Sequence, residues 1–437
     1  MMMLSKVFYE LDHQLFSRFG ESTHKMKIRN LIILFYFSAS INLFAQRVLI
    51  PSDSTISVTL NSTGYTEIHP HDVPDESGLF IYTADGREAL RIYGSFRLLL
   101  TWDDKKNFHP FDLTQPTIPT GVNDFYYPNS QATINMSRLG FDAMIARNKS
   151  SDLLIRIELD WKGDNEKFRI RHLYLRSEHW LVGKSWSSFN NVAYLTQAVD
   201  GRLTGGAVGV RPVQIRYYNQ TEKWSYQFSA EYQKPTLIQP DTLGAQSDVI
   251  FPGFTGNVSY KTNSFDIMLA GVLRINRVQF TSDYNGSQSE TGYGGLVAAK
   301  IHLNKKNRFM MSATGGMGIG GLMGDFAFVD IDLAFNPDDQ KFENMGAFTA
   351  FLGYEHDWSD EFTSAIGGSI LGSEEKSFFD GGYFKSGSKV LTNLFYKPSS
   401  KFGAFSVGVE VEYAERKNIT SPSNNTIRVS SLLIYNF

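Results

Sequence analysis

From Leu90 to the last residue the chain alternates apolar and polar positions. In residues 90–102 the even positions are apolar apart from Gly94, while Arg91, Ser95 and Arg97 take the other face. Residues 153–161 are the clearest case, with Leu153, Ile155, Ile157, Leu159 and Trp161 set against Leu154, Arg156, Glu158 and Asp160. Trp224 to Tyr232 and Phe405 to Tyr413 repeat the pattern. A period of two sends successive side chains to opposite faces of a strand, so each run predicts a strand with one apolar face. The runs predict about sixteen strands, over 90–102, 134–147, 151–161, 167–177, 180–186, 207–219, 223–234, 253–262, 264–275, 291–303, 307–320, 345–358, 361–372, 388–397, 402–414 and 426–437.

These strands are longer than the ~5–6 residues usual in soluble sheets, and Trp or Tyr often stands at an end. Connections at 261–264, 302–307 and 358–361 are short, whereas 103–133, 187–206, 235–252, 276–290, 321–344 and 373–387 are long. Long strands with aromatic ends, short turns at one end and long loops at the other are the pattern of an outer-membrane barrel. The expected fold is therefore all-β, a transmembrane antiparallel barrel whose closure pairs every backbone group.

Ahead of the barrel, the apolar run Leu31 to Ala45 follows Met26-Lys27-Ile28-Arg29. Charged start, apolar middle and small residue make a secretory signal, cut near Ala45, and the run is too short for a membrane helix. Residues 1–46 are read as prefix and signal, with either translation starting at Met26 or an unusually long charged n-region. Residues 47–89 form a Pro-, Ser-, Thr- and Asp-rich periplasmic leader, mostly irregular, closing with a short strand at Leu79 to Thr83. Residues 90–437 are the barrel domain.

Composition narrows the chemistry. The 437 residues contain no Cys, which removes disulfides and thiolate sites, and the formal net charge of -3 gives no field for nucleic acid. Gly183-Lys184-Ser185 resembles the tail of a phosphate-binding loop, but Glu178 stands where that motif needs Gly. Gly315 to Gly321 reads as a glycine-rich strand. His69 and His71 lack a third ligand and read as solvated, and neither a Gly-x-Ser-x-Gly elbow nor His-Glu-x-x-His occurs. No enzyme, cofactor or metal is expected. A barrel-borne lipase or protease, a structural or adhesive barrel and a hydrophobe transporter stand as alternatives.

The polar face of the strands must line water, because charge facing lipid is costly. Alternation places Arg91, Arg97, Arg138, Arg156 and Arg216 inside, with Arg169 and Arg171, and also Glu158, Asp160, Glu231, Glu410 and Glu412. Early strands are thus arginine-heavy and late ones acidic. Free arginines would favour anions, whereas arginines paired with carboxylates would set only the pore width. Loop 187–206, with Phe189, Asn190, Asp200 and Arg202, either folds inward as a constriction or stays outside as an ordinary loop.

Three blocks carry a family resemblance: Leu90-Arg91-Ile92-Tyr93-Gly94-Ser95-Phe96-Arg97-Leu98, Leu181-Val182-Gly183-Lys184-Ser185-Trp186-Ser187-Ser188-Phe189, and Val210-Arg211-Pro212-Val213-Gln214-Ile215-Arg216-Tyr217. In order and spacing they resemble the DcaP-like trimeric outer-membrane porins, over most of residues 79–437. The resemblance implies a homotrimer of sixteen-stranded barrels in the outer membrane of a Gram-negative cell, in contact with its lipids. It implies diffusion of small, often anionic, solutes, an inward loop after Trp186, and pore-facing Arg97, Arg169, Arg171, Arg211 and Arg216. Alternation with Val213 would instead turn Arg211 outward unless Pro212 shifts the phase. Family members can carry a coiled-coil extension, and residues 47–78 show no heptads. The ending Tyr435-Asn436-Phe437 resembles the strand signal read by outer-membrane assembly machinery.

Overall fold

The computed structural model describes residues 78–83, 88–105, 109, 111–120, 127–146, 152–163, 166–200, 205–280, 286–326, 328–398, 404–420 and 423–437. The signal segment, the leader up to residue 77 with His69 and His71, and Arg202 lie outside the described residues.

Sixteen strands close into one antiparallel barrel. They are β1 (Glu88–Asp103), β2 (Asn129–Thr133 and Arg138–Ala146), β3 (Asp152–Gly163), β4 (Lys167–Arg176), β5 (Trp180–Lys184), β6 (Val213–Gln220), β7 (Trp224–Tyr232) and β8 (Gly253–Lys261, extended by Ala245–Asp248). The circuit continues through β9 (Phe265–Phe280), β10 (Ser287–His302), β11 (Asn307–Met317), β12 (Gly346–Asp357), β13 (Phe362–Ser373), β14 (Phe384–Tyr396), β15 (Ala404–Asn418) and β16 (Asn424–Asn436). The seam is β16 on β1, from Ser95 opposite Asn436 to Asp103 opposite Arg428. The short strand Leu79–Tyr82 pairs with residues 89–92 on the same edge of β1, just past the end of β16.

Each predicted strand corresponds to one barrel strand, with shifted ends. The largest shift is in β6, expected from residue 207 and found to start at Val213, because residues 207–212 have turned into the barrel. The glycine-rich run is not one strand either. β11 ends at Met317, and Gly318 turns the chain at a φ of 63°, where an added β-carbon would stand 2.2 Å from Asn344 Oδ1.

The alternation separates two environments. On β9, Phe265, Ile267, Leu269, Leu273 and Ile275 are exposed outward, while Met268, Val272 and Arg274 are buried inward. At the short-turn end, outward rings meet in a belt, with Trp180 5.3 Å from Tyr217, Trp224 4.7 Å from Tyr260, Phe309 4.9 Å from Tyr354 and Phe362 4.7 Å from Tyr396. Amphipathic rings at one level mark a membrane interface.

The interior holds three segments from the long-loop end. Residues 111–120 place Leu113 and Ile118 against Ala414 of β15. Residues 185–212 and 318–345 meet each other, with Phe189, Tyr194 and Val208 packed among Ile319, Leu322, Met323 and Phe326. Two backbone bonds tie them, from Gly209 N to Leu322 O at 3.0 Å and from Gly324 N to Ala207 O at 2.6 Å.

Candidate functional site

The loop after β5 enters the lumen as a ribbon. Ser187 N donates to Val210 O at 2.9 Å and Asn191 N to Val208 O at 3.0 Å, so the β5–β6 pairing continues inward. Arg216, fully buried on β6, aims its guanidinium at the Trp186 carbonyl and at Gln227 Oε1 at 2.6 Å. It anchors the stem. Arg211 lies on the returning stem, outside the alternation, with its guanidinium carbon 3.6 Å from the Trp186 ring centroid. Pro212 belongs to the bent stem, which explains why neither face of β6 predicts the position.

Acidic side chains of the barrel wall hold the rest of the loop. Glu231 takes the Ser187 hydroxyl at 2.8 Å and Ser188 N at 3.0 Å. Glu355 accepts Gln197 N, and Glu410 accepts Val199 N at 3.0 Å and Asp200 N at 2.9 Å. Asp325, on the neighbouring inward segment, accepts Gly206 N at 2.7 Å. Asp200 in turn accepts Leu113 N at 2.7 Å and lies 3.8 Å from both Lys389 and Arg428. The loop therefore crosses from β5 to the opposite wall and is fastened at both ends. Phe189, Asn190 and Asp200 are buried within it. A carboxylate accepting backbone N–H groups makes stronger bonds than a neutral acceptor.

The wall from β1 to β4 is a ladder of arginines and carboxylates fixed by the register. Arg91 stands opposite Asp142, and Asp142 opposite Arg156. Arg138 stands opposite Asp160, and Asp160 opposite Arg169. The resulting pairs are Arg91 to Asp142 at 3.1 Å, Arg156 to Asp142 at 2.8 Å and Arg169 to Asp160 at 2.6 Å. Arg171 bridges Glu158 at 2.6 Å and Asp160 at 3.4 Å, and Arg138 is 3.9 Å from Glu158. Arg97 donates Nε to Ser95 Oγ at 2.9 Å. A bulge places Glu158 opposite His172 and Leu159 opposite Ile170, so Arg171 and His172 both turn inward. Six arginines here (91, 97, 138, 156, 169, 171) stand against three carboxylates (142, 158, 160), an excess of positive charge. Their exposure differs sharply. The side chain of Arg169 is 39% exposed and that of Arg156 21%, whereas Arg91, Arg97, Arg138 and Arg171 are buried.

Alternation brought all the predicted wall residues to the inner face. It missed Lys389 and Arg428, which grip Asp200, and the segment around Leu113, because their partners lie far away in sequence, 87 residues for Leu113 and more for the two cations.

A wall that meets lipid outside and holds charge around a fastened inner loop defines a porin of the outer membrane. The family model for the DcaP outer membrane protein matches residues 83–437. The chain belongs to this family. Among solved structures, the outer membrane channel DcaP of Acinetobacter baumannii is 17% identical with a TM-score of 0.69, covering 82% of this chain and 99% of that one. An anion-selective porin from Comamonas acidovorans is 9% identical with a TM-score of 0.54, covering 80% and 100%. OmpF of Salmonella typhi, solved with daunomycin, is 14% identical with a TM-score of 0.50, covering 82% and 100%. No curated protein matches the sequence. Family and neighbours point to a channel rather than an enzyme.

Proposed function

We propose that the barrel conducts small hydrophilic solutes by passive diffusion, with a preference for anions set by Arg156 and Arg169. One observation carries this reading. Six arginines of the ladder stand against three carboxylates, and Arg156 and Arg169, though paired with Asp142 and Asp160, keep exposed surface within reach of a passing solute, while Glu231, Glu355 and Glu410 are occupied in holding the loop. A fixed positive field facing water lowers the barrier for negative solutes. The buried arginines (97, 138, 171, 216) and Glu158 shape the passage, and Arg211, Phe189, Asn190 and Asp200 set the position of the loop. The rest of the reading follows the family: a homotrimer of this chain in a Gram-negative envelope, a signal over residues 26–45 removed near Ala45, residues 47–89 as a leader, and Phe437 as the mark for assembly.

The test is the reversal potential of the purified protein in a planar bilayer under a KCl gradient. Steady channels with anion preference support the reading, and cation preference removes the arginine filter. Folded protein without conductance would favour an adhesive or enzymatic barrel.

A further inference from the structure

A chamber lies between the inward loop and the short turns, lined by Asn190 and Tyr194 of the loop and by residues 221–223 of the turn. Its side wall is ordered by the register. Gln227 stands opposite Asn257 and Ser225 opposite Ser259 on β7 and β8, and the next row runs Lys261, Asp266, Lys300 across β8, β9 and β10. Asp266 lies 4.0 Å from both Lys261 and His302. Lys300 also lines the chamber, and no carboxylate of the described residues stands within ion-pair distance of its ammonium. Asp266 is the cross-strand neighbour of Lys300 and does not close on it as an ion pair, so the ammonium keeps room for the carboxylate of a solute. The two opposed serine hydroxyls, which line the same chamber, donate and accept equally well, which suits hydroxyl groups rather than an apolar tail.

We propose that this chamber is a binding station for a small polyhydroxylated carboxylate of the sugar-acid class, with the carboxylate on Lys300 and the hydroxyls on Ser225 and Ser259. The station rests on the reading of the barrel as a channel for anions and adds to it a second site, separate from the arginine ladder. A weak site beyond the constriction would raise the local concentration of such solutes and make their flux saturable.

The experiment is single-channel conductance of the folded full-length protein in potassium gluconate over a range of concentrations, with potassium acetate as the hydroxyl-free control. Lys300→Gln should raise the half-saturating gluconate concentration about threefold, the size expected for losing one exposed ionic contact, and Lys300→Arg should restore it. Ser225→Ala with Ser259→Ala should weaken gluconate and leave acetate unchanged. Asp266→Asn should strengthen gluconate. A gluconate curve unmoved by Lys300→Gln overturns the station, as does an Asp266→Asn channel that binds gluconate less well. Anion preference in KCl with no Lys300 effect sinks the station alone. A Lys300-dependent gluconate curve in a channel without anion preference in KCl sinks the arginine filter alone.

Discussion

The ring of Phe437 lies over the bare α-carbon of Gly94, where an added β-carbon would stand 2.5 Å from Cζ of the ring and 2.6 Å from the Arg138 carbonyl oxygen. The same two residues exchange both backbone hydrogen bonds at 3.0 Å. The last residue of the chain is thus the final pair of the seam that closes the barrel.

Gly94→Leu should therefore disturb closure more than its position suggests. Forcing a side chain into filled space costs about 1–3 kcal/mol, and here it also displaces the terminal pair. The expected result is a smaller fraction of protein that resists unfolding in detergent before heating, with Phe437→Ala showing a milder form of the same defect. Equal yields of the heat-resistant species in Gly94→Leu and wild type would mean that the seat of the ring is irrelevant to closure.

The grip of Glu410 on the loop makes a second prediction. Glu410→Gln keeps shape but turns one acceptor into a donor facing the N–H groups of Val199 and Asp200, which costs about 1–3 kcal/mol for a buried polar group left unpaired. The loop end should detach in part from the far wall. Larger and noisier single-channel currents are expected, and currents identical to wild type would show that Asp200 with Lys389 and Arg428 holds the loop unaided.

The strands were readable because lipid outside and water inside impose a period of two on nearly every barrel residue. That period says which face a residue takes and nothing about its neighbour. Arg97 and Arg169 look equivalent in sequence, yet Arg97 bonds Ser95 two residues back on its own strand inside a covered wall, whereas the register sets Arg169 opposite an aspartate at the water boundary. Where the period breaks, alternation is silent. The bulge at Arg171 and His172 and the bent stem at Arg211 both follow from backbone geometry that alternation does not encode. The inward course of residues 318–345 carried no local signal, since its apolar residues Ile319, Leu322 and Phe326 are explained only by Phe189 and Val208 across the lumen.

On the long-loop side, Leu333–Asn336 pairs with Lys341–Asn344, and Asn336 donates to Glu343 Oε1 at 2.7 Å. That hydrogen bond, with Lys376 at 3.2 Å, holds the Glu343 carboxyl below its usual range despite some desolvation. A carboxyl depressed on folding adds stability above its ordinary value and loses it as pH falls through the depressed one. Hydrogen exchange over residues 333–344, corrected for intrinsic rate, should accelerate below pH 4.5 in wild type. In Glu343→Gln it should be faster at neutral pH and nearly flat on acidification. A wild-type hairpin equally protected at both pH values would remove Glu343 as its clasp.

The exposure difference within the ladder separates filter from frame. Arg169→Ala removes a guanidinium that is 39% exposed, and Arg171 remains 3.4 Å from Asp160 to hold that carboxylate. Anion preference should therefore fall while the protein folds as before, and the loss should shrink in concentrated KCl, where a Debye length of about 3 Å at 1 M screens the site. Arg91→Ala removes a cation with no exposed surface and leaves buried Asp142 with Arg156 alone, a change of the kind that costs about 3–5 kcal/mol when a buried partner is lost. Its signature should be lower heat resistance with the reversal potential of the surviving channels nearly unchanged. If Arg91→Ala shifted the reversal potential as much as Arg169→Ala, the field of the whole ladder would set selectivity, and the two accessible arginines would hold no special place in it.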